Sequence, residues 1–100
     1  MKPQTAARLA NNNIQLASET GGRCLFTREN CLALVERNGA GFGSIGSTGI
    51  MTEGGLAYLF WRDGRALLKA KGAETEASSA QVVAIRQFSQ DLKTALAGEE

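Results

Sequence analysis

A glycine-rich run at residues 41–46, Gly-Phe-Gly-Ser-Ile-Gly, has the spacing of a phosphate-binding motif. Such a loop holds phosphate when a strand precedes it and a helix begins directly after it, because the helix N-terminus supplies free amide groups. Here Ser47, Thr48 and Gly49 follow instead, and then a short apolar run, so the expected helix is missing. We interpret these glycines as strand residues that permit twist or bulges. A nucleotide-binding enzyme that uses the glycine-rich loop 39–46 remains an alternative.

Groups for acid–base catalysis are scarce in this chain. It contains no histidine, which removes the commonest general base and the Ser-His and Cys-His nucleophile pairs. The carboxylates lie in predicted turns, on solvated strand faces or near the ends of predicted elements, and no close pair emerges from their spacing. Glu74 and Glu76, for example, are expected to be solvated charges. We therefore predict that the protein is not an enzyme, and we assign no catalytic residue and no cofactor.

The two cysteines, Cys24 and Cys31, do not predict a metal site. They lack the CxxC spacing, and no histidine is present to complete a zinc site. No apolar run approaches the roughly 20 residues that span a bilayer, and the N-terminal segment has no signal-peptide core. We expect a cytoplasmic protein in which both thiols are reduced.

The composition indicates one ordinary globular domain covering residues 1–100. Hydrophobic residues make up 43% of the chain and charged residues 21%, which argues against the disordered and fibrous classes. The formal charge of +1 is too balanced to attract nucleic acid or an anionic membrane from a distance. Binding of a polyanion would require a local basic patch.

Residues 56–71 predict a β-hairpin, because two apolar runs flank the dipeptide Asp63-Gly64. A two-residue turn there places Arg62 opposite Arg65 and fixes the rest of the register. The predicted pairs on one side are Trp61 with Ala66, Leu59 with Leu68 and Ala57 with Ala70; on the other they are Phe60 with Leu67, Tyr58 with Lys69 and Leu56 with Lys71.

One side of this hairpin combines aromatic and basic side chains, and it is the candidate binding surface. Its residues are Tyr58, Phe60, Arg62, Arg65, Lys69 and Lys71. Aromatic residues and arginine concentrate in protein interfaces, and the same combination can stack bases and neutralise phosphates in single-stranded nucleic acid. A third interpretation buries the aromatic rings under the N-terminal helix. The facing arginines repel each other unless carboxylates or a ligand relieve them.

Helical periodicity predicts an N-terminal helix over residues 5–19 with Thr5 as its cap, ended by Gly21 and Gly22. Asn13 falls within the apolar arc of that helix. The capping box formed by Ser78 and Gln81 predicts a C-terminal helix that packs one face on a sheet. Its expected apolar residues are Ala84, Ile85, Phe88, Leu92, Ala95 and Leu96, and the polar run 74–79 is expected to separate it from the strands.

Between the two helices the sequence predicts short strands over residues 24–27, 31–37, 40–45 and 50–52, with a turn at Asn38-Gly39. An alternative for residues 27–38 is a helix capped by Thr27 and ended by Gly39. With the hairpin, the pattern indicates an α+β domain: an N-terminal helix, an antiparallel meander of four to five short strands, and a C-terminal helix on one sheet face.

These features favour a small non-enzymatic protein that binds a macromolecule. We expect a protein partner and an inhibitory or regulatory role, of the kind found among small proteins of phages and mobile elements. Single-stranded nucleic acid is the alternative partner, and membranes are not expected. A homodimer could form through the helix that contains Asn13 or through a sheet edge.

Overall fold

The computed structural model describes residues 2–39, 41–53 and 55–97. Within them, two helices flank one antiparallel sheet whose seven strands pair in chain order. The predicted α+β class, with a meander and a C-terminal helix on one sheet face, is confirmed, although the sheet has more strands than expected. The elements are α1 (Pro3–Asn11), β1 (Gln15–Thr20), β2 (Arg23–Arg28), β3 (Cys31–Asn38), β4 (Gly41–Thr52), β5 (Gly55–Arg62), β6 (Arg65–Ala70), β7 (Ala73–Glu76) and α2 (Ser79–Leu96).

The N-terminal helix is shorter than the predicted span 5–19, because the asparagine triplet at residues 11–13 ends it. Asn12 donates its side-chain amide to the carbonyl of Arg8 (2.8 Å), and Asn13 adopts a φ of 57°, in the left-handed region that asparagine tolerates. The chain then turns into β1, which pairs with β2 across the Gly21-Gly22 turn. Thr5, expected as the cap, lies inside the helix and is buried.

Residues 27–38 form strand structure, so the helical alternative is wrong. Cys31, Ala33 and Val35 alternate towards the core, which is the period-two pattern of a strand. Gly39 has a φ of 65° in the turn that follows Asn38. Ala40, where the third predicted strand begins, lies outside the described residues.

The predicted strands 40–45 and 50–52 belong to one long strand, β4, which contains the glycine-rich motif. Its register against β3 shifts by one residue in two places, once between the pairs Ala33–Thr48 and Val35–Ile45, and again before Arg37–Phe42. These shifts are β-bulges, so the interpretation of the motif as strand glycines is confirmed. At Gly49 a side chain would overlap the carbonyl oxygen of Ala57 on β5, which explains the glycine there.

The β5–β6 hairpin has the predicted turn and register. Asp63 and Gly64 take φ values of 52° and 76°, and Arg62 pairs with Arg65 in a ladder that runs to Tyr58 and Lys69. The two outermost predicted pairs lie beyond this ladder. Instead, Lys71 and Gly72 form a second tight turn, with φ values of 47° and 81°, that leads into β7.

The capping box at the start of α2 is confirmed. The Ser78 hydroxyl accepts a hydrogen bond from the Gln81 amide (3.1 Å), and the Gln81 side chain accepts one from the Ser78 amide (2.8 Å). The helix buries Ile85, Phe88, Leu92, Ala95 and Leu96 against the sheet, whereas Ala84 is exposed. No helix in the described part of the chain is long and apolar enough to cross a membrane.

Polar contacts fix α2 to its neighbours. Arg8 of α1 donates to the carbonyls of Ala95 (3.0 Å) and Ala97 (2.9 Å) at the C-terminal end of α2, where the helix dipole also favours a cation. Arg28 of β2 pairs with Asp91 (2.8 Å) and places its guanidinium 5.4 Å from the centroid of Phe88. Both helices are therefore held on the same face of the sheet.

Candidate partner-binding face

The face of the sheet opposite the helices carries a row of apolar side chains, and we call it the open face. Strand alternation and register place these residues on it together. They are Leu25, Leu34, Leu56, Tyr58, Phe60 and Leu67, all half-buried, and Met51, which is exposed. The core on the other face contains side chains from both helices, among them Leu9 of α1 and Ile85 of α2. The aromatic rings of the hairpin are therefore not covered by the N-terminal helix.

Leu32 lies on the open face, but only 4% of its surface is accessible to solvent. In the ladder it stands opposite Gly49 of β4, and Gly49 stands opposite Tyr58 of β5. Leu32 and Gly49 are both buried, so this part of β3 and β4 adds little accessible surface to the open face. The half-buried apolar side chains of the open face therefore lie on both sides of this position, on β2 and β3 and on β5 and β6.

The predicted binding residues lie on or beside the open face. Tyr58, Phe60 and Arg62 project from β5, Arg65 and Lys69 project from β6, and Lys71 lies in the turn before β7. The two aromatic residues are half-buried, and the four basic residues are exposed. Sequence reasoning missed the other part of the apolar surface, on β2 and β3, because it depends on how those strands pair with each other.

Two ion pairs with β7 occupy the arginines at the hairpin tip. Arg62 binds Glu74 through two hydrogen bonds of 3.0 Å, and Arg65 binds Glu76 at 3.2 Å. The hydrogen bonds from Arg62 hold the pKa of Glu74 below its usual range, and the charge of Lys69 acts in the same direction. Glu74 and Glu76 are exposed to solvent, as expected, and each also pairs with an arginine of the hairpin.

This pairing changes the electrostatic character of the hairpin surface. Carboxylates from the same chain relieve the repulsion between the facing arginines, so that repulsion no longer points to a ligand. The alternation of glutamates in Ala-Glu-Thr-Glu is a period-two signal that could have revealed β7. The open face therefore has an apolar centre, an ion-paired margin at the hairpin tip and one exposed lysine, Lys69, while Lys71 lies in the adjoining turn.

The cysteines and the asparagine helix contribute no site. Cys24 stands opposite Val35 and Cys31 opposite Arg28 in the ladder, so the two thiols are not cross-strand partners. Both are free and buried, and burial is the main cause that raises the pKa of each thiol. The described residues include no group of three or more metal-ligating side chains. Asn13 lies outside α1, so the helix expected to present it at a dimer interface does not exist in that form.

The fold and open face define a helix–meander–helix protein of the α+β class, with both helices on one side of the sheet. No family model, curated protein or solved structure matches the chain. The surfaces of this molecule are therefore the basis for a functional proposal.

Proposed function

We propose that this protein acts by binding another protein through the open face, as an inhibitory or regulatory module. The observation that supports this proposal is the row of half-buried apolar side chains on the open face, which neither helix covers. In a soluble protein, a contiguous exposed apolar patch is typical of an interaction site. Tyrosine and phenylalanine add rigid contact area, as expected at the centre of an interface.

A protein partner fits this face better than nucleic acid does. A nucleic-acid site needs cations that are free to neutralise phosphates, whereas Arg62 and Arg65 already pair with glutamates of β7. The net charge of +1 also gives little long-range attraction to a polyanion. Apolar surface with an ion-paired margin is the pattern of protein interfaces, in which a polar rim surrounds an apolar core.

The test is affinity capture of the tagged protein from an extract of its native host. We compare the wild type with Phe60→Ser on the open face and with Val83→Ser as a matched control, because Val83 is 66% exposed on α2. The same partner should be recovered with wild type and control and be lost with Phe60→Ser. Thermal melts verify that each variant folds, and Lys69→Glu is the substitute if Phe60→Ser does not.

Two results would contradict the proposal. One is recovery of the same partner with the wild type and both open-face variants, because binding would then use another surface. The other is the absence of any wild-type protein partner combined with salt-dependent binding of single-stranded nucleic acid that weakens in Lys69→Ala. That result would favour the nucleic-acid alternative.

A further inference from the structure

A groove runs along one side of α2, on the opposite side of the sheet from the open face. It has two adjoining sections of about 660 Å³ and 510 Å³, which share Ile45 of β4 and Lys93 of α2 as lining residues. We call their union the α2 groove. One section extends to Leu96 near the end of the helix, and the other extends to Trp61 on β5.

The bulged, glycine-rich part of β4 forms the floor of this groove. Gly43 and Ser44 line it, whereas most core positions of the sheet carry larger side chains. Ile45 and Leu59 are partly buried hydrophobic residues that pack against the core and leave part of their surface at the groove. The groove therefore has an apolar floor, formed by strand residues beside a helix.

The helix wall of the groove is cationic. Arg86 and Lys93 line it, with Ser89 and Gln90 between them as hydrogen-bonding side chains. The two cations are seven residues apart, so they lie on one side of the helix, separated by about 10 Å along its axis. None of the described residues that line the groove carries a carboxylate. Asp91, the acidic residue of α2, is bound to Arg28 of β2.

Trp61 lies at one end of the groove and is 50% exposed. The guanidinium of Arg86 lies 5.0 Å from the centroid of its ring. This stacking keeps the Arg86 side chain beside the groove, and a guanidinium stacked on an aromatic face can still donate hydrogen bonds in its own plane. An anionic group that enters this end would meet an oriented cation next to an apolar ring.

We propose that the α2 groove binds an extended acidic segment of a partner protein. Carboxylates of the segment pair with Arg86 and Lys93, and an apolar side chain between them packs on Ile45. The groove follows α2 from Arg86 to Ala97, a rise of roughly 16 Å, which accommodates about five residues of extended chain. Positive charge without internal carboxylates selects an acidic segment, and the apolar floor selects a peptide over a simple anion.

The experiment is a selection of random peptides displayed on phage against the intact protein, followed by titration of the most enriched peptide. The enriched peptides should be acidic and contain an aliphatic or aromatic residue. Binding should change the fluorescence of Trp61, the single tryptophan of the chain, and should weaken as salt rises. The double variant Arg86→Glu/Lys93→Glu should reduce affinity by at least about tenfold, a loss of about 1.4 kcal/mol.

The matched control is Lys69→Glu/Lys71→Glu, which makes the same change in charge at residues that do not line the α2 groove. It should bind the peptide as the wild type does, and thermal melts verify that all variants fold. Failure to enrich acidic peptides would overturn the proposal, and so would equal loss of binding in both double variants, or binding without a change in Trp61 fluorescence. Because open-face variants leave the groove intact, this test succeeds or fails independently of the proposed function.

Discussion

The ion pair between Arg28 and Asp91 fixes α2 to the sheet, and Asp91→Asn tests its contribution. The side chains are 20% and 25% exposed, so the pair lies between a surface and a buried salt bridge. Exposed pairs contribute up to about 1 kcal/mol, and hydrogen bonds to charged groups about 1.5–3 kcal/mol. Because solvent screens the partly exposed pair, we expect Asp91→Asn to lower the free energy of unfolding by about 1 kcal/mol, near the lower of these figures.

The pH dependence of this loss gives the prediction its specificity. The hydrogen bond from Arg28, assisted by one from Gln87, lowers the pKa of Asp91 in the folded protein. A carboxyl whose pKa falls on folding stabilises the native state fully above its unfolded pKa, which is about 4. That stabilisation is lost as the pH falls through the lower folded pKa, because the Asp91 carboxylate is then protonated and the ion pair is broken.

Urea unfolding of wild type and Asp91→Asn, repeated at a series of pH values, measures both effects. At neutral pH the variant should unfold at a urea concentration lower by roughly 0.5–1 M. The difference should shrink as the pH falls below about 4. Asp63→Asn is the matched control, because Asp63 is exposed in the hairpin turn, and it should change stability by less than about 0.5 kcal/mol. A difference that persists unchanged in acid would refute the reasoning.

Three further predictions concern the fold. Gly49→Ala should lower the free energy of unfolding, measured in urea, by about 1–3 kcal/mol, because the added methyl group overlaps the neighbouring strand. Gly43→Ala should cost clearly less, because a methyl group there has ordinary contact distances. Equal losses in the two variants would contradict the close approach at Gly49. Ser78→Ala should cost about 1 kcal/mol through loss of the α2 cap, which a Ser78→Asp variant should largely restore. Cys24 and Cys31 are buried with raised pKa values, so both should be alkylated far more slowly in the folded protein than in urea. Rapid labelling of the native protein, followed by mass spectrometry, would show that the thiols are accessible.

Local signals predicted the β5–β6 hairpin and the start of α2 well, although they missed β7. The turn at Asp63-Gly64 and the capping box at Ser78 act within a few residues, so the β5–β6 register and the start of α2 follow from sequence alone. The first half was harder, because an amphipathic arc across residues 5–19 competes with the turn preference of the asparagine triplet. The triplet decides the outcome, and the residues after it pair with β2 instead of continuing the helix.

The candidate site was predictable only in part. The aromatic and basic residues of the hairpin follow from its register, whereas the partners of Arg62 and Arg65 lie on β7, a strand that the polar run concealed. The α2 groove depends on where a helix crosses two bulges, which is a tertiary property that residue spacing does not encode. Sequence periodicity identifies faces, and packing decides which faces remain accessible.

Site-specific photocrosslinking in the native host tests the central claim about the open face most directly. In one variant a photoreactive amino acid replaces Lys69, which is exposed beside Tyr58 on the open face. In a second variant the same amino acid replaces Ala7, which is exposed on α1. The proposed function predicts a discrete crosslinked protein from position 69 and none from position 7. An adduct from position 7 alone, or no adduct from position 69, would contradict it.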